Sequence, residues 1–284
     1  MKRVKWLVWL LSVAMLCACG ANELQQKATP EAPQSEQVDT PVDELSSTPC
    51  YTYEDKVVSC QFTDEESGVL YAMYRYSVPM MRVENVDDLT EEALVIAQRN
   101  VESFNAQMQK LLDDAVAFGE ETAAAVAEGD FVQIGTTYAT DEKELVVTQT
   151  GQILTIRADG YYYSGGAHPF VYTDSYTFDL ALGQFIDPIQ IADDPEQFRT
   201  QTAELLVAQA EGLGEEYTAG FWSDYAEIIG HWNDAAVLFD AEGMTVIFSV
   251  YELGPYAMGP VELSLPYEEL ADAIGEGGLA HLGQ

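Results

Sequence analysis

The chain has 284 residues, of which 48% are apolar and 11% aromatic, so it can build a packed core and is not disordered as a whole. Twelve Lys and Arg residues stand against 48 Asp and Glu residues, which gives a formal net charge of −36. A protein with this charge repels nucleic acids and anionic lipid headgroups and attracts cations and basic proteins. The composition therefore argues against nucleic-acid binding. It leaves two roles open for the acidity, namely solubility outside the cell and attraction of a basic partner.

The N-terminus has the layout of an export signal. Three basic residues within the first five positions precede an apolar segment at residues 6–16, which is too short for a comfortable membrane span. The following Leu16-Cys17-Ala18-Cys19 resembles the bacterial lipobox, and this resemblance implies cleavage after residue 18 and lipidation of Cys19. We therefore expect residues 1–18 to be a lipoprotein signal peptide. The exported protein is then anchored by lipid to the outer face of the bacterial cytoplasmic membrane.

Residues 19–49 are predicted to be a disordered tether that begins with the lipidated cysteine. From residue 20 onward this segment contains four prolines among Gln, Glu, Ser and Thr, and it has no aromatic residue. Such a composition cannot bury enough apolar surface to offset the entropy lost on folding. The folded part of the chain is therefore expected to begin near residue 50.

The cysteines predict one disulfide. If Cys17 leaves with the signal peptide and Cys19 carries lipid, only Cys50 and Cys60 remain in the exported domain. An even pair of cysteines outside the cell favours a disulfide between them. Two thiols without a nearby histidine form a poor zinc site, so no metal is expected.

The first folded elements are predicted to be two strands and a long helix. Strands are expected at residues 57–62 and 69–83, and the second is apolar on both faces, which places it inside a sheet. Asp88, followed by Glu91 three residues later, resembles a capping box at the start of a helix. Apolar residues then recur at steps of three and four as far as Phe118. We favour a helix laid across a sheet over a coiled-coil or partner helix.

The remainder of the chain is predicted to be a strand meander followed by a mixed segment. Turns are expected at residues 141–143, Gly151 and residues 159–160, and such tight turns make neighbouring strands antiparallel. The predicted strands are 132–139, 144–150, 152–158, 170–180, 237–240, 244–251 and 261–265, and the predicted helices are 195–211, 222–229 and 268–274.

A glycine-rich corner before the strand at 170–180 holds the candidate binding residues. His168 either contacts a ligand beside neighbouring tyrosines or hydrogen-bonds a backbone carbonyl and fixes the turn. Tyr256, in a second Gly- and Pro-rich loop, has the same two interpretations. The candidate set is Tyr161, Tyr162, Tyr163, Gly165, Gly166, His168 and Tyr256.

The motif GGAH at residues 165–168, combined with PYAMGP at residues 255–260, carries a family resemblance. Together with their flanking strands, these motifs resemble the extracytoplasmic module shared by the anti-sigma factor RsiV and the peptidoglycan deacetylase PdaC. Residues 51–147 resemble the N-terminal half of that module. The resemblance implies an α+β fold in which helices cover antiparallel sheets. It also implies two halves, an N-terminal strand-helix-strand half at residues 50–150 and a C-terminal half at residues 151–284.

The resemblance also implies a partner. In RsiV the module is a receptor for lysozyme, which is strongly basic, and the net charge of −36 is compatible with such a partner. We therefore expect a cell-surface binding protein that acts as a receptor or an inhibitor of a basic wall-active protein such as lysozyme. The alternative is an accessory lipoprotein that binds wall glycan. Contact with the membrane is expected only through the N-terminal lipid.

No catalytic motif is present in the sequence. The patterns HExxH and GxSxG, the phosphate-binding loop and the EF-hand loop are all missing, so neither an enzyme nor a cofactor is expected. A wall hydrolase that assembles carboxylates from distant positions remains a third alternative, because such a site leaves little trace in the sequence.

Overall fold

The computed structural model describes residues 46–66, 68–129, 139–165 and 167–284. The predicted signal peptide, Cys19 and all but the last residues of the predicted tether lie outside this part of the chain. So do Gly166 and all but the last residue of the strand predicted at 132–139.

The larger of the two sheets has six strands and is mainly antiparallel. Its spatial order follows the chain: β1 (Tyr51–Thr63), β2 (Leu70–Val83), β3 (Ala139–Thr150), β4 (Ile153–Tyr163), β5 (Phe170–Asp179) and β6 (Gln184–Ile186). Every neighbouring pair is antiparallel except β2 and β3, which run parallel. The prediction that the strand at 69–83 lies inside a sheet is confirmed, because β2 has a partner on each side.

The parallel pair is connected by one long helix, α1 (Glu91–Glu128). Its N-cap is Thr90, whose hydroxyl accepts a hydrogen bond from the Ala93 amide at 3.2 Å, so the helix does not start at Asp88 as predicted. Gly129 ends it in the left-handed conformation. Phe104 and Met108 are buried against the sheet, which confirms the prediction of a helix laid across a sheet. Among the helices of the described residues, none combines the length and apolar composition of a membrane-crossing segment.

A second layer packs on the opposite face of the large sheet. It contains an antiparallel sheet of β7 (Ala236–Phe239), β8 (Gly243–Phe248) and β9 (Val261–Pro266), with helices α2 (Pro195–Gly212), α3 (Glu215–Thr218), α4 (Tyr225–Ile229) and α5 (Tyr267–His281). The backbone of Phe239 joins the layers, since its N–H donates to Thr155 Oγ1 and its carbonyl accepts from Thr150 Oγ1, each at 3.3 Å. The architecture is therefore α+β with mainly antiparallel sheets, and the predicted fold class is confirmed.

Two predicted turns are wrong, because the residues concerned lie inside strands. Asp141 is tolerated within β3 because its carboxylate accepts a hydrogen bond of 2.6 Å from the Tyr76 hydroxyl. Gly160 lies inside β4, and glycine is required there because any side chain would collide with the Tyr172 ring. The turn predicted at Gly151 is present, with a positive φ of 58°. The predicted boundary between the two halves coincides with this turn, within a single sheet.

The predicted disulfide is also wrong. Cys50 and Cys60 are both free thiols, the first exposed and the second buried in the core under α1. A disulfide would require the segment between the two cysteines to fold back on itself, but this segment is part of the continuous strand β1. Ten extended residues separate the two positions by roughly 30 Å, whereas a disulfide needs Cα atoms within about 7 Å.

Candidate binding site

Two loops, one from each layer, meet around His168. The first connects β4 to β5, and the second connects β8 to β9 and contains Tyr251 and Tyr256. The imidazole of His168 stacks on the Tyr256 ring, with centroids 3.6 Å apart and planes inclined by 16°. Its Nε2 lies 3.0 Å from the Tyr251 hydroxyl, and its Nδ1 lies 3.1 Å from the Pro169 carbonyl oxygen. The structure thus brings together the predicted residues His168 and Tyr256.

These contacts determine the tautomer of the neutral imidazole. A carbonyl oxygen can only accept, so Nδ1 of His168 donates its hydrogen to Pro169. Nε2 of the neutral ring then accepts from the Tyr251 hydroxyl. His168 therefore makes the backbone hydrogen bond of one interpretation, and its exposed ring lies beside Tyr251 and Tyr256. Contact with a ligand stays a prediction.

Tyr251 is the most unusual residue of the site. Among the described residues, it is the one non-glycine residue with positive φ, at 73°, a conformation that costs roughly 1–2 kcal/mol for an L-residue. Its side chain is nevertheless 47% exposed, and its carbonyl accepts a hydrogen bond of 3.0 Å from the indole of Trp222, itself 40% exposed. Strain that presents exposed rings is typical of a functional site. We call His168, Trp222, Tyr251 and Tyr256 the aromatic corner.

The loop that carries Tyr251 is tied to β5 by Ser249. The Ser249 hydroxyl accepts from the Thr173 amide at 3.0 Å and donates to the Thr173 carbonyl at 3.3 Å. The Ser249 amide in turn donates to the Glu252 carboxylate at 2.6 Å. These contacts hold the loop in one position relative to the large sheet, so the aromatic corner is pre-organised.

Carboxylates lie next to the aromatic corner. Desolvation raises the pKa of Glu252, the hydrogen bond from Ser249 opposes the rise, and the negative charge of Asp174 adds to it. Glu252 directly follows Tyr251 in the chain, so its negative charge lies beside the aromatic corner. Among the described residues, no three His, Cys, Asp or Glu side chains are grouped closely enough to hold a metal ion.

The other predicted residues occupy different positions. Gly165 is needed in its turn because its φ is 99°. The three consecutive tyrosines do not form one cluster, because side chains alternate across β4. The ring of Tyr162 contacts Phe118 of α1, with centroids 5.6 Å apart, so Tyr162 does not belong to the corner. Tyr161 and Tyr163 point to the opposite face of the sheet.

Sequence analysis missed Tyr251, Trp222, Ser249 and Glu252. The segment before PYAMGP was read only as the end of a strand, and a left-handed tyrosine leaves no mark in composition or spacing. A tryptophan placed at a predicted helix start was the one available signal, because Trp is enriched at binding surfaces.

The chain is similar to one family model and to two solved structures. Residues 191–268 match the model of a family described as "Protein of unknown function (DUF3298)". The crystal structure of a DUF3298 family member from Bacteroides fragilis NCTC 9343 superposes with a TM-score of 0.54 at 17% identity, covering 83% of this chain and 98% of that chain. For a DUF3298 family protein from Pseudomonas aeruginosa PAO1, the TM-score is 0.44 at 14% identity, over 84% of this chain and 98% of that one.

The protein therefore belongs to the α+β class and shares the fold of the Bacteroides fragilis structure. Within the chain, the segment that matches DUF3298 contains Trp222, Tyr251 and Tyr256, whereas His168 precedes it. No curated protein matches the chain in sequence.

Proposed function

We propose that the protein is a lipid-anchored bacterial cell-surface binding protein whose partner is a basic wall-active protein such as lysozyme. The observation that carries the proposal is the aromatic corner with its neighbouring carboxylates, Glu252 and Asp174, in a chain of net charge −36. Exposed Tyr and Trp rings are the common anchors of protein interfaces, and surrounding acids attract a basic partner. The sequence resemblance to the RsiV and PdaC module supports lysozyme as the representative partner.

Calorimetric titration with hen egg-white lysozyme at low and moderate salt tests the proposed partner. We expect saturable one-to-one binding that persists at moderate salt but weakens there, because salt screens the charge attraction. Tyr251→Gly removes the anchor ring while allowing the left-handed backbone, and it should lower the affinity by roughly tenfold or more. Phe118→Ala, which removes an exposed ring on α1, is the matched control and should leave the affinity unchanged.

Absence of lysozyme binding at low salt would contradict the proposal. So would an equal loss of affinity in Tyr251→Gly and Phe118→Ala. If binding is observed, a wall-lysis assay separates an inhibitor from a receptor, because only an inhibitor slows lysis at saturating concentration.

The lipid anchor is tested separately. Cys19→Ser should abolish lipid attachment and release the protein from the membrane fraction, whereas Cys17→Ser should leave both unchanged. Intact mass spectrometry of the purified protein shows whether the lipid is present. A Cys19→Ser protein that stays in the membrane fraction would refute the anchor.

Wall glycan is the second candidate ligand, and the exposed rings of Tyr251 and Trp222 favour it, since such rings stack on sugars. Glycan binding would also require these rings but would respond little to salt. Titration with soluble wall fragments at two salt concentrations therefore distinguishes the candidates. Turnover of those fragments would instead indicate the carboxylate-based hydrolase that the sequence left as a third alternative.

A further inference from the structure

A cavity of about 410 Å³ opens at the outer edge of β5, between β6 and the start of β7. This volume falls within the range of roughly 300–1,000 Å³ that is usual for pockets binding small molecules or single groups. Its apolar walls include Tyr176, Phe185 and Pro188, and the acidic residues Asp174 and Asp234 also line it. Asp174 directly follows Thr173, the residue that Ser249 holds beside the aromatic corner.

The cavity exists because β5 lacks a complete outer neighbour. β6 pairs with β5 only from Thr177 to Asp179, and Ser249 occupies the backbone groups of Thr173. Ser175 lies between these two contacts. In an antiparallel strand, alternate residues direct their backbone groups to the same side, so the N–H and C=O of Ser175 point outward as those of Thr173 do. Since Ser175 lines the cavity, its backbone carbonyl faces the cavity together with the acidic residues Asp174 and Asp234.

The charges at the cavity are incompletely neutralised. Among the described residues, no basic side chain forms an ion pair with Asp234, and Asp174 has only Lys143, at 3.4 Å. Burial raises the pKa of Tyr176, and the charge of Asp174 raises it further. Negative charge in a concave, partly apolar site attracts a cation whose stem is apolar.

We propose that this cavity receives an arginine side chain of a basic partner protein, with its guanidinium between Asp174 and Asp234. The planar guanidinium has five N–H donors, so it can reach both carboxylates and the Ser175 carbonyl, which the single ammonium of lysine does less well. Its methylene stem lies along Tyr176, Phe185 and Pro188. The inference rests on the proposed function, because it takes the partner to be a basic protein, and it adds a specificity site next to the aromatic corner.

An NMR titration tests the cavity directly. The probe is acetyl-Gly-Arg-Gly-amide, and the matched peptide control replaces arginine with citrulline, which has nearly the same shape and no charge. We expect saturable shifts of the Ser175 and Asp234 amides with the arginine peptide alone. Asp174→Asn combined with Asp234→Asn should weaken this binding by about tenfold. Glu215→Gln combined with Glu216→Gln removes the same charge from exposed α3 and should leave binding unchanged.

The peptide and lysozyme titrations distinguish failure of the cavity inference from failure of the proposed function. The cavity inference is overturned if the arginine peptide does not bind. It is also overturned if the two double variants lose affinity for the peptide equally. Lysozyme that binds the native protein and the Asp174/Asp234 variant equally would also overturn it, whereas the comparison of Tyr251→Gly with Phe118→Ala would still test the proposed function. Peptide binding at the cavity without lysozyme binding would retain the arginine site and reject lysozyme as the partner.

Discussion

The hydroxyl of Tyr251 lies 3.0 Å from Nε2 of His168, although 83 positions separate the two residues in the chain. His168 belongs to a hairpin loop of the six-stranded sheet, and Tyr251 belongs to a loop of the three-stranded sheet. The contact therefore joins the two layers at their common rim. The aromatic corner is complete only when both layers are folded and correctly placed.

The left-handed backbone of Tyr251 predicts that glycine is tolerated better than alanine at this position. Both substitutions remove the ring and the hydrogen bond to His168, but only glycine adopts a φ of 73° without a steric cost. We expect Tyr251→Gly to be more stable than Tyr251→Ala by about 1 kcal/mol, measured by urea unfolding. Equal stabilities would mean that the loop relaxes out of this conformation when the ring is lost.

The buried pair of Asp141 and Tyr76 predicts a pH-dependent stability. Burial raises the pKa of Asp141, while the hydrogen bond from Tyr76 and the charge of Lys143 oppose the rise. A raised folded-state pKa means that the folded protein holds this proton more tightly, so the contribution to stability is lost as pH rises through that pKa. Asp141→Asn cannot ionise, so its stability relative to the native protein should increase between about pH 4 and pH 7.

Urea unfolding of the native protein and of Asp141→Asn between about pH 4 and pH 7 provides the measurement. A stability difference that stays constant with pH would contradict the prediction. Tyr76→Phe is the complementary variant. It leaves the buried carboxylate without its 2.6 Å donor and should destabilise the protein at neutral pH by about 1–3 kcal/mol.

The cysteines are predicted to differ in reactivity. Cys50 is exposed, whereas Cys60 is buried and the pKa of its thiol is raised chiefly by desolvation. Because the thiolate is the reactive form, a thiol reagent should modify Cys50 in the native protein and Cys60 only after unfolding. Peptide mapping by mass spectrometry identifies the modified position. Recovery of a peptide that links the two cysteines would contradict the extended β1.

Gly160 is predicted to be intolerant of a side chain. A Cβ atom there would overlap the Tyr172 ring, so Gly160→Ala should displace the ring and destabilise the protein by about 1–3 kcal/mol. Gly212, at the end of α2, has open space around it and serves as the control. Gly212→Ala should be neutral or slightly stabilising, as judged by thermal unfolding. A similar loss of stability in Gly160→Ala and Gly212→Ala would show that packing against Tyr172 does not cause the destabilisation.

Local patterns were sufficient to predict most elements of the fold. The two apolar faces of β2 placed it inside the sheet, and the steps of three and four in α1 indicated one face packed on that sheet. Gly151 marked a tight turn correctly. From α2 onward, the predicted bounds are within three residues of the observed ones, except that α5 continues past Gly275 to His281. In each case the signal was a repeat or a turn residue within the segment itself.

The errors arose where a distant residue decides the local structure. The charged run that begins at Asp141 reads as a turn, but Tyr76, 65 positions earlier, supplies the hydrogen bond that lets it lie in β3. Gly160 reads as a turn because the sequence does not show that Tyr172 packs over it. The same limit applies to the site, since His168, Trp222 and Tyr251 are brought together only by the packing of the two layers.

The long connection through α1 also affects how the chain folds. β2 pairs with β3 through contacts such as Ala72 with Ala139, so this pairing must wait until α1 and the segment after it are available. Non-local pairing of this kind is slow. Until then, the β1–β2 ribbon presents an apolar strand whose backbone groups are open to other chains. In a chain that emerges N-terminus first, a holding chaperone would therefore be most useful at this ribbon, while the helix that later covers one of its faces is still forming.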